Sequence, residues 1–158
     1  MKNNKNNNMT RKERKALTLS TEQKEIIRGS ILGDLHAEKR NKNGNTRLQF
    51  HQTTAHLGYI NHLYDIFSDF TGSPPVTVTS FDNRPNKQSE TYSTKFNTLS
   101  LPCFNEFRAA FYNLQGIKII PAHLMDLLTI RGLAYFYMDD GYFNPSTGGF
   151  YFCTESFT

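Results

Sequence analysis

Two apolar segments of this chain are each predicted to form a helix whose last turn holds a carboxylate. The first ends at Asp34, and the second ends in the adjacent acids Asp139 and Asp140. A helix C-terminus has a partial negative charge, so an acid there costs roughly a few tenths of a kcal/mol. Stability alone favours Lys or Arg at such a position. The acids are therefore either incidental at exposed helix ends or kept there for chemistry.

Glycines on the first helix favour the second interpretation. Gly29 and Gly33 are four residues apart, so they stack on one face and remove side-chain bulk from it. Each costs about 1 kcal/mol relative to Ala in a water-exposed helix. This predicts close packing against a partner helix, which would bring the two acidic ends together. Paired carboxylates suit a hard cation such as Mg²⁺, which can activate water for phosphodiester cleavage.

The chain around these helices predicts an α+β fold whose sheet has helices on one face and polar side chains on the other. A capping box of Ser20 and Gln23 begins the first helix. The other predicted elements are a strand over residues 46–52, a helix capped by Thr54, strands over residues 76–81 and 92–98, a helix from about Pro102, a short helix after Pro121, a helix over residues 131–140 capped by Thr129, and a strand over residues 150–154.

Charge is distributed unevenly along the sequence. The net charge is +4, but residues 1–15 contribute +5 and the other 143 residues contribute −1. We predict that residues 1–17 form a disordered basic arm, either a solvated tail or a DNA-contacting segment. Any nucleic-acid surface in the body must then come from how charges are arranged.

Length, cysteine usage and hydropathy limit the class of protein. A chain of 158 residues is long enough for one domain with a real core. Cys103 and Cys153 are 50 residues apart and lack a zinc-binding pattern, so free, reduced thiols are expected. No apolar run is long enough to cross a bilayer. We expect a soluble, intracellular protein with no membrane partner.

Residues 27–35 and 133–141 resemble the two signature helices of the LAGLIDADG homing endonucleases, particularly the single-chain, two-motif branch found in organelle introns. The second segment matches the nine-residue motif at Leu133, Ala134, Asp139, Asp140 and Gly141, and the first matches at Gly29 and Asp34. Residues 19–34, 73–75, 99–111 and 120–121 are also similar, and the likeness extends from about residue 17 to the end.

The resemblance implies an αββαββα unit with a DNA-binding saddle sheet. Residues 18–116 would form the first such unit, and residues 117–158 would hold a linker, the second signature helix and the start of a second unit. Only 18 residues follow Asp140, so the second unit is expected to be incomplete. At full length the family's architecture is a monomer with two pseudo-repeats.

The resemblance also assigns roles to residues. Asp34 and Asp140 occupy the motif's eighth position and would be the catalytic acids that bind Mg²⁺, with further metal contacts from the carbonyls of Gly33 and Asp139. Lys118 would steady charge at the scissile phosphate, or it is an ordinary exposed lysine. The expected DNA contacts are Arg47, Gln49, His51, Lys95 and Asn97 on the sheet, Lys39, Arg40 and Lys42 in the turn before it, and Arg84 and Lys87 in a loop.

The function that follows is site-specific hydrolysis of double-stranded DNA at an intron insertion site, which mediates intron mobility. One alternative is an RNA maturase that helps the host intron splice, since the same fold is known in that role. Another is an inactive, truncated remnant. A composition rich in Asn, Lys, Ile, Phe and Tyr is typical of an AT-rich genome, so an organelle is expected, the mitochondrion in preference to the chloroplast.

Overall fold

A computed structural model describes residues 9–82 and 89–154 of the chain. In order, the elements are α1 (Arg11–Ala16), α2 (Thr21–Leu32), β1 (His36–Glu38), β2 (Arg47–Thr53), α3 (Leu57–Phe67), β3 (Val76–Asp82), β4 (Ser89–Asn97), α4 (Asn105–Phe111), α5 (Leu124–Leu127), α6 (Ile130–Asp140), β5 (Gly141–Asn144) and β6 (Gly149–Phe152). From α2 to α4 the order is αββαββα, which confirms the predicted unit.

The first unit contains an antiparallel four-stranded sheet in the order β1-β2-β4-β3. Strict alternation along β2 buries Leu48 and Phe50 and leaves His51 exposed. Phe50 stacks on Phe96 of β4 with ring centroids 4.5 Å apart, and it also contacts Phe67 of α3. The sheet therefore has one apolar face covered by helices and one polar face open to solvent.

The core lies between the inner face of the sheet and helices α2, α3 and α4. Its largest fully buried side chains include four phenylalanines and several aliphatic residues, namely Phe67, Phe104, Phe107, Phe111, Ile26, Ile27, Ile31, Leu48, Ile60, Leu63 and Leu101. Burial of each such side chain contributes about 1.5–3 kcal/mol to the free energy of unfolding. This core holds α2 firmly, and α2 in turn positions its acidic end.

Helices α2 and α6 pack against each other through glycine. A Cβ atom added to Gly29 would lie 1.9 Å from the carbonyl oxygen of Gly132, so the two backbones are in direct contact. One built on Gly33 would lie 2.4 Å from the Cβ atom of Asp139. The predicted partner helix is thus α6, which contacts Gly29 of α2 through the backbone of Gly132. Arg131 of α6 also contacts Glu22 and Glu25 of α2.

Two further strands follow α6. Strands β5 and β6 form an antiparallel hairpin directly after this helix, as β1 and β2 follow α2. Phe152 packs on Phe136 of α6, with ring centroids 5.0 Å apart. Among the described residues only this hairpin follows α6, and the assignment of a second unit stays a prediction.

Two predictions about local structure were wrong. Residues 11–16 form a short helix, α1, because Thr10 and Glu13 make a capping box; the arm is therefore ordered over this part, while residues 1–8 lie outside the described residues. Thr54 does not cap α3. Its hydroxyl instead donates to the Tyr92 carbonyl, 3.2 Å away, and a 3-10 turn over Thr54–His56 leads into the helix.

None of the helices in the described part of the chain is long and apolar enough to cross a membrane. Cys103 and Cys153 are both free, as predicted. The caps at Ser20 and Thr129 are present, since each hydroxyl accepts a backbone N–H of the first helical turn.

Candidate active site at the helix junction

The crossing of α2 and α6 brings three carboxylates to one place. Asp34 follows the C-cap Gly33 of α2 and is exposed, whereas Asp139 and Asp140 form the last two residues of α6 and are partly buried. Burial raises the pKa of Asp140, the negative charge of Asp34 raises it further, and Lys118 opposes both effects. The electrostatic coupling between Asp34 and Asp140 agrees with the predicted meeting of the two acids.

Lys118 reaches the junction from a tight hairpin after α4. Tyr112 pairs with Lys118 in an antiparallel bridge, and the turn between them passes through Gly116, whose φ of 79° favours glycine. The ammonium group donates to the Gly33 carbonyl at 2.8 Å. Burial lowers the pKa of Lys118, while the charges of Asp140, Asp34 and Asp139 each raise it. Lys118 is therefore not an ordinary exposed lysine.

Asp139 is the most deeply placed of the three acids. Its pKa is raised to about 7, chiefly by burial and then by the charge of Asp34. Tyr59 of α3 lies beside it, and burial together with the charge of Asp139 raises the pKa of this tyrosine. The Asp139 carboxyl group is therefore largely enclosed by protein, and the metal contact from its backbone carbonyl stays a prediction.

Gln52 bridges the two acidic helix ends. Its Nε2 atom donates to Asp34 Oδ2 at 2.9 Å and to Asp139 Oδ1 at 3.2 Å. The Oε1 atom of the same amide lies 3.2 Å from Nδ1 of His56. Gln52 is only 8% exposed, because it lies on the inner face of β2 with Leu48 and Phe50. It was not predicted as a site residue.

These donors suit a magnesium ion that takes most of its ligands from water and substrate. In the described part of the chain no three His, Cys, Asp or Glu side chains form a metal-binding group. Mg²⁺ commonly binds through one or two carboxylates and completes its shell with waters and phosphate oxygens. Asp34 and Asp140 could supply the carboxylates, and the Gly33 carbonyl has a second lone pair beside the one that Lys118 uses. The ammonium of Lys118 already indicates that this position accepts positive charge.

The polar face of the sheet adjoins the acids. An open cavity of about 230 Å³ is lined by Asp34, Gln52 and three outer-face residues, His51, Thr53 and Ser93. The Nε2 atom of His51 lies 2.7 Å from the Ser93 hydroxyl. The predicted contact residues share this face, because Gln49 pairs with Asn97 and His51 pairs with Lys95 across β2 and β4.

The basic residues predicted to contact DNA differ in how free they are to do so. Arg40 and Arg47 both contact the carboxylate of Glu38, the former at 3.0 Å, and the Arg47 side chain is only 16% exposed. These two arginines would have to leave Glu38, or share it, to reach a phosphate. Lys39 and Lys42 are exposed in the turn between β1 and β2. Arg84 and Lys87 lie outside the described residues.

The helix pair and its acids define the class of this chain, an α+β protein built around two signature helices that meet at carboxylates. Residues 24–158 match the LAGLIDADG DNA endonuclease family. The chain therefore belongs to this family, and the resemblance drawn from the two motifs is confirmed.

The chain is similar in sequence to a DNA endonuclease and to an mRNA maturase. The chain is 32% identical to DNA endonuclease I-ChuI of Chlamydomonas applanata over 90% of its own length and 68% of that protein. It is 35% identical to cytochrome b mRNA maturase bI2 of Saccharomyces cerevisiae over 73% of its length, but over only 29% of the maturase.

A solved structure shares the fold. The homing endonuclease I-WcaI bound to its DNA recognition sequence matches with a TM-score of 0.73 and 30% identity. The match covers 80% of this chain and 54% of that one. The chain thus spans about half of the structure that it resembles.

Proposed function

We propose that this chain supplies both catalytic acids and one DNA-reading sheet of a Mg²⁺-dependent, site-specific endonuclease of the homing type. The observation that supports this most directly is the open cavity, which joins Asp34 and Gln52 to the polar face of the sheet. A duplex lying on that face would pass next to the acids. I-ChuI and I-WcaI, which this chain resembles, are both named endonucleases.

Different residues would have different roles in hydrolysis of the phosphodiester bond. Asp34 and Asp140, with the carbonyls of Gly33 and Asp139, would hold Mg²⁺. The metal would polarise the scissile phosphate and make a bound water more acidic. Lys118 would stabilise the negative charge that develops on the phosphate as water attacks. Side chains on the sheet would hold the duplex in register through phosphate and base contacts. Asp34 and Asp140 would each direct water onto one strand.

Cleavage of a plasmid that carries the intronless insertion site tests this proposal. The chain should cut the plasmid with Mg²⁺ and not with EDTA. Asp34→Asn and Asp140→Asn should each lower the cutting rate by at least about 100-fold, the scale of losing a directly acting charged group. Asp65→Asn, at an exposed acid on α3, is the matched control and should cut normally. Cutting that survives either active-site change would disprove the assignment of the acids.

A second candidate function is splicing of the host intron as an RNA maturase. The 35% identity to cytochrome b mRNA maturase bI2 of Saccharomyces cerevisiae favours it. Splicing would use the surface of the protein rather than the metal site. In an assay of the host intron, splicing should then persist in Asp34→Asn and Asp140→Asn and drop when Arg47 and Lys95 are changed. Loss of splicing in the acid variants would count against this role.

We also propose an organelle as the place of action, with the mitochondrion favoured over the chloroplast. The relatives that act on cytochrome b mRNA and the AT-biased composition both support this location. The active form would be a monomer with two pseudo-repeats. An inactive remnant is the outcome if the chain folds and binds DNA but cuts no substrate.

A further inference from the structure

His56 lies just outside the acidic cluster and has no role in the function proposed above. It is the last residue of the 3-10 turn Thr54–His56, which connects β2 to α3. Gln52, four residues earlier, is on β2, where it pairs with Thr94 of β4. The hydroxyl of Thr54 donates to the Tyr92 carbonyl on the same neighbouring strand. The chain is thus held to β4 just before the turn and at its first residue.

The amide of Gln52 can meet its partners in only one orientation. An amide nitrogen donates two hydrogen bonds, and an amide oxygen only accepts them. The nitrogen of Gln52 faces the oxygens of Asp34 and Asp139, so the oxygen must face His56. A flipped amide would place its oxygen against two carboxylates and leave a donor facing the ring. His56 can complete the network only by donating from Nδ1.

We propose that His56 is a positioning residue for the reaction, acting through Gln52 on Asp34. The Nδ1–H group of His56 holds the oxygen of Gln52, and this fixes the direction in which the amide nitrogen donates to the carboxylate of Asp34. The carboxylate is thereby kept at the orientation in which it would bind the metal. The inference rests on the proposed endonuclease activity for its catalytic consequence, but the hydrogen bond itself does not.

The exposure of Asp34 explains why such a device is useful. A carboxylate at an exposed helix end can rotate among several orientations, and misplacement of a reacting group by about 1 Å can cost roughly 100-fold in rate. Gln52 is buried and held by the sheet, so it is a rigid reference point. The remaining freedom of Gln52 is rotation of its terminal amide, and this is the motion that His56 restricts.

The first test measures the tautomer of His56 by long-range ¹H–¹⁵N NMR, with the pH raised until the ring signals no longer change. His56 is assigned by comparison with His56→Ala. The expected result is a proton on Nδ1, and the Gln52→Leu variant should lose this preference. A neutral ring protonated on Nε2 in the unmodified chain would overturn the proposal, whether or not the chain cuts DNA.

The second test separates positioning from binding by kinetics. His56→Ala should lower kcat for plasmid cleavage about fivefold, the scale of one hydrogen bond, with KM unchanged. His56→Asn places an amide donor near the position of Nδ1 and should recover most of the lost rate. His62→Ala is the matched control, because His62 lies on α3 but bonds to the Tyr135 hydroxyl instead, and it should retain the full rate.

These tests separate failure of the inference from failure of the proposed function. If the unmodified chain cuts DNA and His56→Ala cuts equally well, the positioning role is wrong and the endonuclease assignment stands. An equal loss in His56→Ala and His56→Asn would also overturn it, because a donor at this position would then have no effect. If the chain never cuts but His56 carries its proton on Nδ1, the hydrogen bond is confirmed while the catalytic role falls with the endonuclease.

Discussion

Neighbouring acids at the helix junction are in different surroundings, and this separates their roles. Asp34 is exposed beside the open cavity, whereas Asp139 is largely buried and accepts a hydrogen bond from Gln52. A buried carboxylate near another acid is costly to ionise, so its pKa rises. The deeper burial of Asp139 supports the proposal that the carboxylates of Asp34 and Asp140 bind the metal.

The buried position of Asp139 predicts a pH-dependent stability. Its pKa is raised from 3.8 to about 7 in the folded chain. Between these two values the folded state binds more protons than the unfolded state, so the free energy of unfolding falls as pH rises. The chain should lose about 2–4 kcal/mol from this group between pH 4 and pH 8. Urea unfolding in EDTA measures this loss.

Asp139→Asn isolates this contribution. The amide keeps an oxygen that can accept from Gln52 but has no charge to bury, so this variant should be more stable than the original chain at pH 8. It should also show a much smaller decline between pH 4 and pH 7, of which the raised pKa of Asp140 supplies the remainder. Asp65→Asn, at an exposed position of α3, should follow the original curve. A parallel decline in Asp139→Asn would show that another group is responsible.

Individual residues of the site were predictable to different degrees. Asp34 and Asp140 stand at helix ends where stability disfavours acids, and that conflict is visible in the sequence. Gln52 also left a signal, since it is a polar residue at an inward position of an alternating strand, after Leu48 and Phe50. His56 left none. Its role depends on the length and path of the turn between β2 and α3, which residue types alone do not specify.

At the scale of elements, the packing of α2 on α6 decides where the acids lie. Backbone contact at Gly29 and Gly132 sets the distance between the helices. Any side chain at this crossing would push the helices apart, and the acids at their ends would separate. The glycine pair therefore connects the helix interface to the chemistry.

Substitution of Gly29 by Ala should destabilise the chain despite the higher helix propensity of alanine. The new Cβ atom would lie 1.9 Å from the carbonyl oxygen of Gly132, and backbone cannot move aside as a side chain can. The expected loss is about 2–3 kcal/mol of unfolding free energy, at the upper end of overpacking effects. Thermal or urea unfolding measures it.

Gly58→Ala is the matched control, since this glycine is also helical but has nothing within 4 Å of the added Cβ atom. Its stability should stay unchanged or rise by up to about 1 kcal/mol. If Gly29→Ala is as stable as Gly58→Ala, the close packing of the two helices is wrong. The cost of a methyl group at the crossing, and not helix propensity, is what the comparison measures.

Elements with a strong local signal were predicted well. The capped helices and the alternating strand β2 follow from periodicity and end signals that need no tertiary information. Strands β1 and β5 were missed because three or four residues show no period, and only pairing with β2 or β6 makes them strands. The cap at Thr54 failed for a related reason, since a tertiary partner on β4 takes its hydroxyl.

At the scale of the whole molecule, the two signature helices are covered unequally. In motif register, Ile27 and Leu32 of α2 correspond to Leu133 and Met138 of α6. The α2 residues are 0% and 5% exposed, whereas those of α6 are 42% and 43% exposed. Layers of sheet and helix cover α2, but the described part of the second unit offers α6 only a hairpin. An open apolar groove of about 460 Å³ remains between α6 and Phe150.

This uncovered face should make the 158-residue chain bind hydrophobic dyes in its native state. Contiguous apolar surface of this kind is uncommon on stable monomers and normally marks a place for another layer of protein. A double variant, Leu133→Lys with Met138→Lys, should reduce dye fluorescence severalfold and leave the unfolding midpoint nearly unchanged, because both side chains are already exposed. Val76→Lys, at a 50% exposed residue on β3, should have little effect. Dye binding that is equally strong in the double variant would show that the dye binds to another surface.

If the native chain binds no dye, sedimentation distinguishes a covered face from a face that is not open. A mass above the 18.2 kDa of one chain that returns to one chain in the double variant would show the face covered by a second copy, and a single-chain mass would contradict an open face.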